Sequence, residues 1–197
     1  MSNLIVVGDD ELLTRQAMEI GESLFEQVQL WQPGESDLAR EDPLASVAAF
    51  NKPDQALFVA LDDAETRRRL IGLWRGRLTN LVHPTASVST TAMLGVNILV
   101  GAQAVIGSLA KVGDGVVQNA LSSIEHDNDI GAHSFLGTGA ILCGRIVTGE
   151  AVFIGGGATV KPGTRIGARV TLGTGAVLID TAEEDGVYVG NPARRIR

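Results

Sequence analysis

From Ser87 to Thr181 an aliphatic residue returns at every sixth position, usually with a glycine behind it. That spacing matches neither the 3.6-residue period of an α-helix nor the two-residue period of an ordinary strand. Read in sixes, the third place runs Val88, Leu94, Val100, Ile106, Val112 and onward to Leu178. Fourteen of its sixteen residues are aliphatic, Gln118 and Thr148 being the exceptions, and ten of the sixteen residues that follow are glycine. A register kept this long describes stacked β-coils, in which no rung buries its apolar row alone and each neighbour covers the next.

Composition agrees with a thin, repetitive interior. Aromatic residues make up only 4% of the 197-residue chain, as expected where the coil admits little beyond Val, Ile and Leu. A formal charge of −7 with no sustained basic stripe argues against a nucleic-acid partner. Cys143 is the single cysteine, so no intramolecular disulfide can form, and a reducing, cytoplasmic setting is expected. The opening MSNLIVVGDDE has no basic region before its short apolar run and does not read as a signal peptide. Residues Thr85–Ala110 carry no charge, yet the hexad register passes straight through them with Asn97 and Gln103 spaced for turns. They are expected to be coil, and no membrane span is assigned.

The first eighty residues follow a different grammar. Leu4–Gly8 reads as a buried strand, and Asp10–Phe25 as an amphipathic helix presenting Leu12, Leu13, Ala17, Ile20 and Leu24. Val28–Trp31 is a second strand, Gln32–Asp37 a loop, Leu44–Phe50 a helix, Ala56–Leu61 a third strand and Thr66–Trp74 a basic helix. Strands alternating with helices predict a small parallel α/β unit over residues 1–80, with the repeat domain spanning 81–197.

Three further segments carry a resemblance: VHPTA at 82–86, QNALSSIEHDNDIGAHSFLGTGA at 118–140 and YVGNPAR at 188–194. With the repeat, they resemble the hexapeptide sugar acyltransferases, typified by sialic acid O-acetyltransferases and nucleotide-aminosugar N-acetyltransferases. The resemblance implies a small Rossmann-like domain followed by a left-handed parallel β-helix; handedness comes from it alone, since general crossover statistics favour the opposite hand. It implies acetyl-CoA as co-substrate, a small-molecule acceptor such as a sugar, a homotrimer with sites between neighbouring β-helices, and no metal.

Within the rung SSIEHD, His126 sits two residues past the inward Ile124. An imidazole suits a general base because it can both take and return a proton near neutrality. The family assigns proton acceptance to the histidine of this motif and a supporting role to the acid after it, which map to His126 and Asp127; Glu125 is a candidate for orienting the ring. With eighteen residues per three-sided coil, Gly144 should stack over His126 and Cys143 over Glu125. Gly144 is then either an oxyanion donor through its N–H or simply a turn. The resemblance also implies coenzyme A contacts near Gly156 and Thr174, with Arg194 and Arg195 available to its phosphates. Asn119, beside the odd inward Gln118, either helps hold the acceptor or hydrogen-bonds a turn. Cys143 reads as packing.

Two places depart from the family pattern. Its second histidine, nine residues after the first, is Phe135 here, and His133 cannot inherit the role because a two-residue shift changes its direction on the coil. The turn after the first strand, where Gly8 would admit a phosphate, continues as Asp9, Asp10 and Glu11, which repel one. Two other readings stand beside an acyltransferase. One is a non-catalytic binding or scaffold subunit. The other is a zinc hydratase of the carbonic-anhydrase type built from His83, His126 and His133.

Overall fold

A computed structural model describes residues 3–9, 11–38, 44, 55–61, 63–74 and 76–197, in two compact units, Met1–Leu81 and Val82–Arg197.

In the first unit, β1 (Asn3–Gly8) lies between β2 (Gln27–Trp31) and β3 (Gln55–Ala60), both parallel to it, in the registers Leu4↔Val28 and Val6↔Phe58. Parallel neighbours need crossover connections, and helix α1 (Leu12–Leu24) supplies the one between β1 and β2. Leu13, Ala17 and Ile20 form its buried stripe. Leu12 and Leu24, expected on that stripe, are 63% and 46% exposed. Leu12 lies a quarter turn off it, and Leu24 is the last residue of the helix. Gln32–Asp37, expected as loop, runs instead into a single helical turn, α2 (Glu35–Leu38), closed by Gly34 N–H donating to the Asp37 carboxylate at 3.0 Å. The expected helix at Leu44–Phe50 falls outside the described residues apart from Leu44, which is buried with Val59 and Leu70.

Helix α3 (Ala64–Leu73) begins at Asp63, whose carboxylate accepts the Thr66 N–H at 2.8 Å. The Thr66 hydrogen bonds hold the Asp63 carboxyl below its ordinary value, so its stabilising effect is complete at neutral pH and fades as pH falls through that lowered value. Asp63→Ala is expected to cost about 1 kcal/mol at pH 7, read as a lower urea midpoint of the helical circular-dichroism signal. The gap from the parent protein should close in strong acid.

The second unit is a parallel β-solenoid. Its strands are mostly two residues long and build three sheets of eight, six and five strands; the six-stranded sheet marks six turns. Through the repeat, strands pair with the one three hexads on, as in Val105↔Ser123 and Ser123↔Ile141, until the C-terminal strands Val187–Val189 and Arg194–Arg195 close with an antiparallel pair. The third-place residues Ile124, Leu136 and Leu142 are fully buried, with small first-place residues such as Ala104 and Ala140 filling the space between them. The glycine after the inward residue also has a physical cause. A Cβ on Gly107 would lie 2.7 Å from the backbone nitrogen of His126 in the coil above, so a side chain there would push the stack apart. The sixth place turns the corner in the left-handed region, at φ values such as 56° for Gln103 and 57° for Asp127. No helix among the described residues is long and apolar enough to cross a membrane.

Candidate active site

His126 occupies the corner between the strands Ser123–Ile124 and Asp129–Ile130. Ile124 anchors the rung from inside. Asp127 makes the turn in the left-handed conformation, which aspartate tolerates better than most residues. Its N–H donates to the Ser108 carbonyl at 2.9 Å, one coil below. This brings the Asp127 carboxylate beside the imidazole, where His126 Nδ1 donates to Oδ2 at 2.8 Å. An ionised carboxylate only accepts, so Nδ1 carries a hydrogen, and in the neutral ring Nε2 then keeps its lone pair. The two side chains are 53% and 45% exposed, which leaves the ring reachable by a ligand.

Gly144 lies directly over that ring. A Cβ at Gly144 would come within 2.5 Å of Nε2 and 2.6 Å of Cε1, so the missing side chain is the space the imidazole uses. The Arg145 N–H donates to the His126 carbonyl at 3.0 Å, tying the two corners together. The Gly144 N–H meets no acceptor among the described residues. A histidine ring and a glycine with an uncommitted N–H therefore lie one over the other. Such a pair can take a proton from a nucleophile and stabilise charge growing on an attacked carbonyl oxygen.

The other expected residues are placed as follows. Glu125, proposed to orient the ring, accepts the Ser123 hydroxyl on Oε1 at 2.5 Å. Asn119 is buried and donates Nδ2 to the Leu136 carbonyl at 3.1 Å, a bond within the coil. Gly8 is packed against Thr14; a Cβ there would lie 2.2 Å from the Thr14 hydroxyl, which itself donates to the Ala60 carbonyl. Asp9 accepts the Glu11 N–H at 3.0 Å, so at least one acid of that turn is engaged in starting α1.

Gly156 and Thr174 stack on one another at the corner that follows Phe153–Ile154, a different corner from that of His126. Arg194 is exposed and donates Nη1 to its neighbour Ala193. Phe135 stacks flat on Phe153 with ring centroids 5.1 Å apart. Cys143 packs against the solenoid core. His83 accepts the Thr85 N–H at 3.1 Å on Nδ1, closing the entry turn. Among the described residues no group of three or more His, Cys, Asp or Glu side chains is arranged to hold a metal. A shallow cavity of about 450 Å³ on the face beyond the His126 corner is lined by Met93, Lys111 and Asp129, and stops short of His126 itself.

Sequence reasoning passed over a signal that marks the His126 corner. The glycine of the fourth place lapses at Ser89, Glu125, Cys143, Lys161 and Ile179. All five fall at the corner that follows the six-stranded sheet and holds His126, so five of the six lapses mark one column.

Residues 145–180 match the family model described as bacterial transferase hexapeptide (six repeats). No curated protein matches the chain. Among solved structures, PerB from Caulobacter crescentus, in complex with CoA and GDP-perosamine, is 28% identical; the match covers 98% of this chain and 97% of that one, with a TM-score of 0.87. The acetyltransferase domain of PglB from Neisseria gonorrhoeae, in complex with acetyl coenzyme A, is 25% identical over the whole of both chains, with a TM-score of 0.87. A histidine-to-asparagine variant of perosamine N-acetyltransferase from C. crescentus, again with CoA and GDP-perosamine, is 28% identical over 98% and 96% of the two chains, with a TM-score of 0.86. The resemblance to hexapeptide sugar acyltransferases drawn from the motifs is borne out by these matches.

Proposed function

We propose that the protein is an acetyl-CoA-dependent acetyltransferase acting on the amine of a nucleotide-linked sugar by direct transfer. The observation that carries this reading is the His126 ring, locked through Nδ1 to Asp127 and open at Nε2 beneath the side-chain-free Gly144. The packing of Cys143 against the core fits a structural role rather than a covalent route.

Acetyl-CoA, when bound, supplies a thioester carbonyl as electrophile. His126 Nε2 takes the proton that the amine must lose as its nitrogen bonds to that carbonyl carbon. The Gly144 N–H donates to the carbonyl oxygen as charge gathers there. As the carbon–sulfur bond breaks, the imidazolium returns its proton to the departing thiolate. The products are the amide and free coenzyme A, and His126 is restored. Asp127 keeps the ring in the one tautomer that serves both transfers.

The glycine-rich corner of Gly155–Gly157 and Gly173–Gly175 fits an extended thioester arm. Gly156 and Thr174 have no acceptor for their N–H groups among the described residues, and few side chains stand in the way. Because that corner is not the His126 corner, a complete site needs one chain's histidine and another chain's glycines, as in a homotrimer of left-handed β-helices. Arg194 then serves the coenzyme phosphates, and the first unit, read as Rossmann-like, receives the acceptor. Dependence on acetyl-CoA supports a cytoplasmic setting.

The test is acceptor-dependent release of free thiol from acetyl-CoA, with GDP-perosamine and related nucleotide-linked amino sugars as acceptors. Thermal stabilisation by coenzyme A is measured alongside. A protein that acetylates none of these amino sugars and gains no stability from coenzyme A is not this enzyme.

A further inference from the structure

The coil that carries His126 breaks the rule of the solenoid interior. In nearby coils the first place of the hexad holds Ala104, Ala110, Val116, Ala140, Ile146 and Val152. In this coil it holds Ser122, Asn128 and Ser134 in succession, each 1% exposed or less, and the hexad just before it holds the buried Gln118 at its third place. Burying polar groups in a thin apolar prism is costly unless each hydrogen bond is replaced. Asn128 replaces its own by reaching upward. Its Nδ2 donates to the Leu142 carbonyl at 3.2 Å, and its Oδ1 accepts the Ile146 N–H at 2.6 Å.

Leu142 and Ile146 are the two ends of the corner Cys143–Gly144–Arg145, the corner that roofs the His126 ring. Two coils below this roof the matching corner closes on itself, with the Ala110 N–H donating to the Gly107 carbonyl at 3.3 Å. Over His126 that closing donor is given to Asn128 instead. One planar amide, offering a donor and an acceptor, thus clamps both ends of the roof from below. Alanine, found at the equivalent position one coil down, could do neither.

We infer that Asn128 is a positioning residue. It sets the height of Gly144 above His126 and, through that contact, the orientation of the imidazole. This rests on the reading of His126 as the base. The Asn128 side chain touches neither the ring nor the open space above it.

Ser134 provides an internal control. Its hydroxyl donates to the Gly131 carbonyl at 2.8 Å and accepts the Val152 N–H at 3.2 Å, clamping a corner that carries no candidate base. The experiment compares Asn128→Asp and the uncharged Asn128→Ser with Ser134→Ala in the full chain. The readouts are melting temperature, acetyl transfer and the ring resonances of His126 by NMR. With three histidines in the chain, the His126 signal is assigned by its loss in His126→Ala.

The expected result is a kcat about tenfold lower in both Asn128 variants, in keeping with a slightly misplaced base. The KM for acetyl-CoA should stay within about twofold, and the His126 ring resonances should shift. Ser134→Ala should lower the melting temperature comparably and move neither the resonances nor kcat. Unchanged resonances in both Asn128 variants, or equal effects from Ser134→Ala, overturn the inference. A ring shift in a protein that transfers no acetyl group upholds the positioning and sinks only the reading of His126 as a base.

Discussion

His126→Ala leaves the fold intact and removes acceptor-dependent release of the coenzyme A thiol, with kcat falling by about 10²–10⁴, the range expected for loss of a positioned general base. The two halves of that expectation have separate causes. The ring is half exposed at a coil corner, so its removal opens no cavity in the core. Its one hydrogen bond among the described residues, to Asp127, is a surface pair of the kind worth at most about 1 kcal/mol. The melting temperature should therefore stay near that of the parent. No other imidazole can substitute. His83 spends Nδ1 on the Thr85 turn, and His133 sits at the next corner of the coil. The measurement is thiol release with and without acceptor, beside a thermal melt. Undiminished acceptor-dependent release removes His126 from the mechanism.

The repeat was legible because one residue in six is forced inward and the next must be glycine wherever its Cβ would strike the coil above, as at Gly107. Two independent constraints at one period leave little freedom in register. The adjacency of His126 and Asp127 was equally legible, since the corner that follows a strand brings consecutive side chains together. The directions of Glu125, Asn119 and Asn128 were not. Glu125 meets Ser123 of its own rung, whereas Asn119 and Asn128 reach carbonyls of the next coil, and hexad spacing carries no record of that choice. In the first unit, buried strands announced themselves through unbroken apolar runs such as Leu4–Val7. The short turn at Glu35–Leu38 did not, because it is made by a local Gly34–Asp37 hydrogen bond rather than by any periodicity.

Gly144→Ala should lower kcat about a hundredfold while costing little stability, an unusual split for a single methyl group. The added Cβ would sit 2.5 Å from His126 Nε2, closer than such atoms approach in real structures, so something must yield. Backbone conformation is not at issue, because Gly144 lies outside the left-handed set that includes Gly139 and Gly157. The yielding group is the imidazole, which is half exposed and held by the single bond to Asp127. It swings outward, breaks that bond, and loses both its tautomer lock and its place over the thioester. The main-chain N–H of residue 144 survives the substitution, so oxyanion stabilisation and acetyl-CoA binding should persist, and calorimetry with acetyl-CoA checks this. Gly107→Ala is the counterpart. Its Cβ would press on the His126 backbone nitrogen at 2.7 Å, where no flexible side chain can give way. It should therefore lower the melting temperature first, with activity following the loss of fold. A Gly144→Ala protein with the parent's kcat would mean that the ring does not act from beneath Gly144, and the geometry on which the chemistry depends would have to be sought elsewhere on the coil.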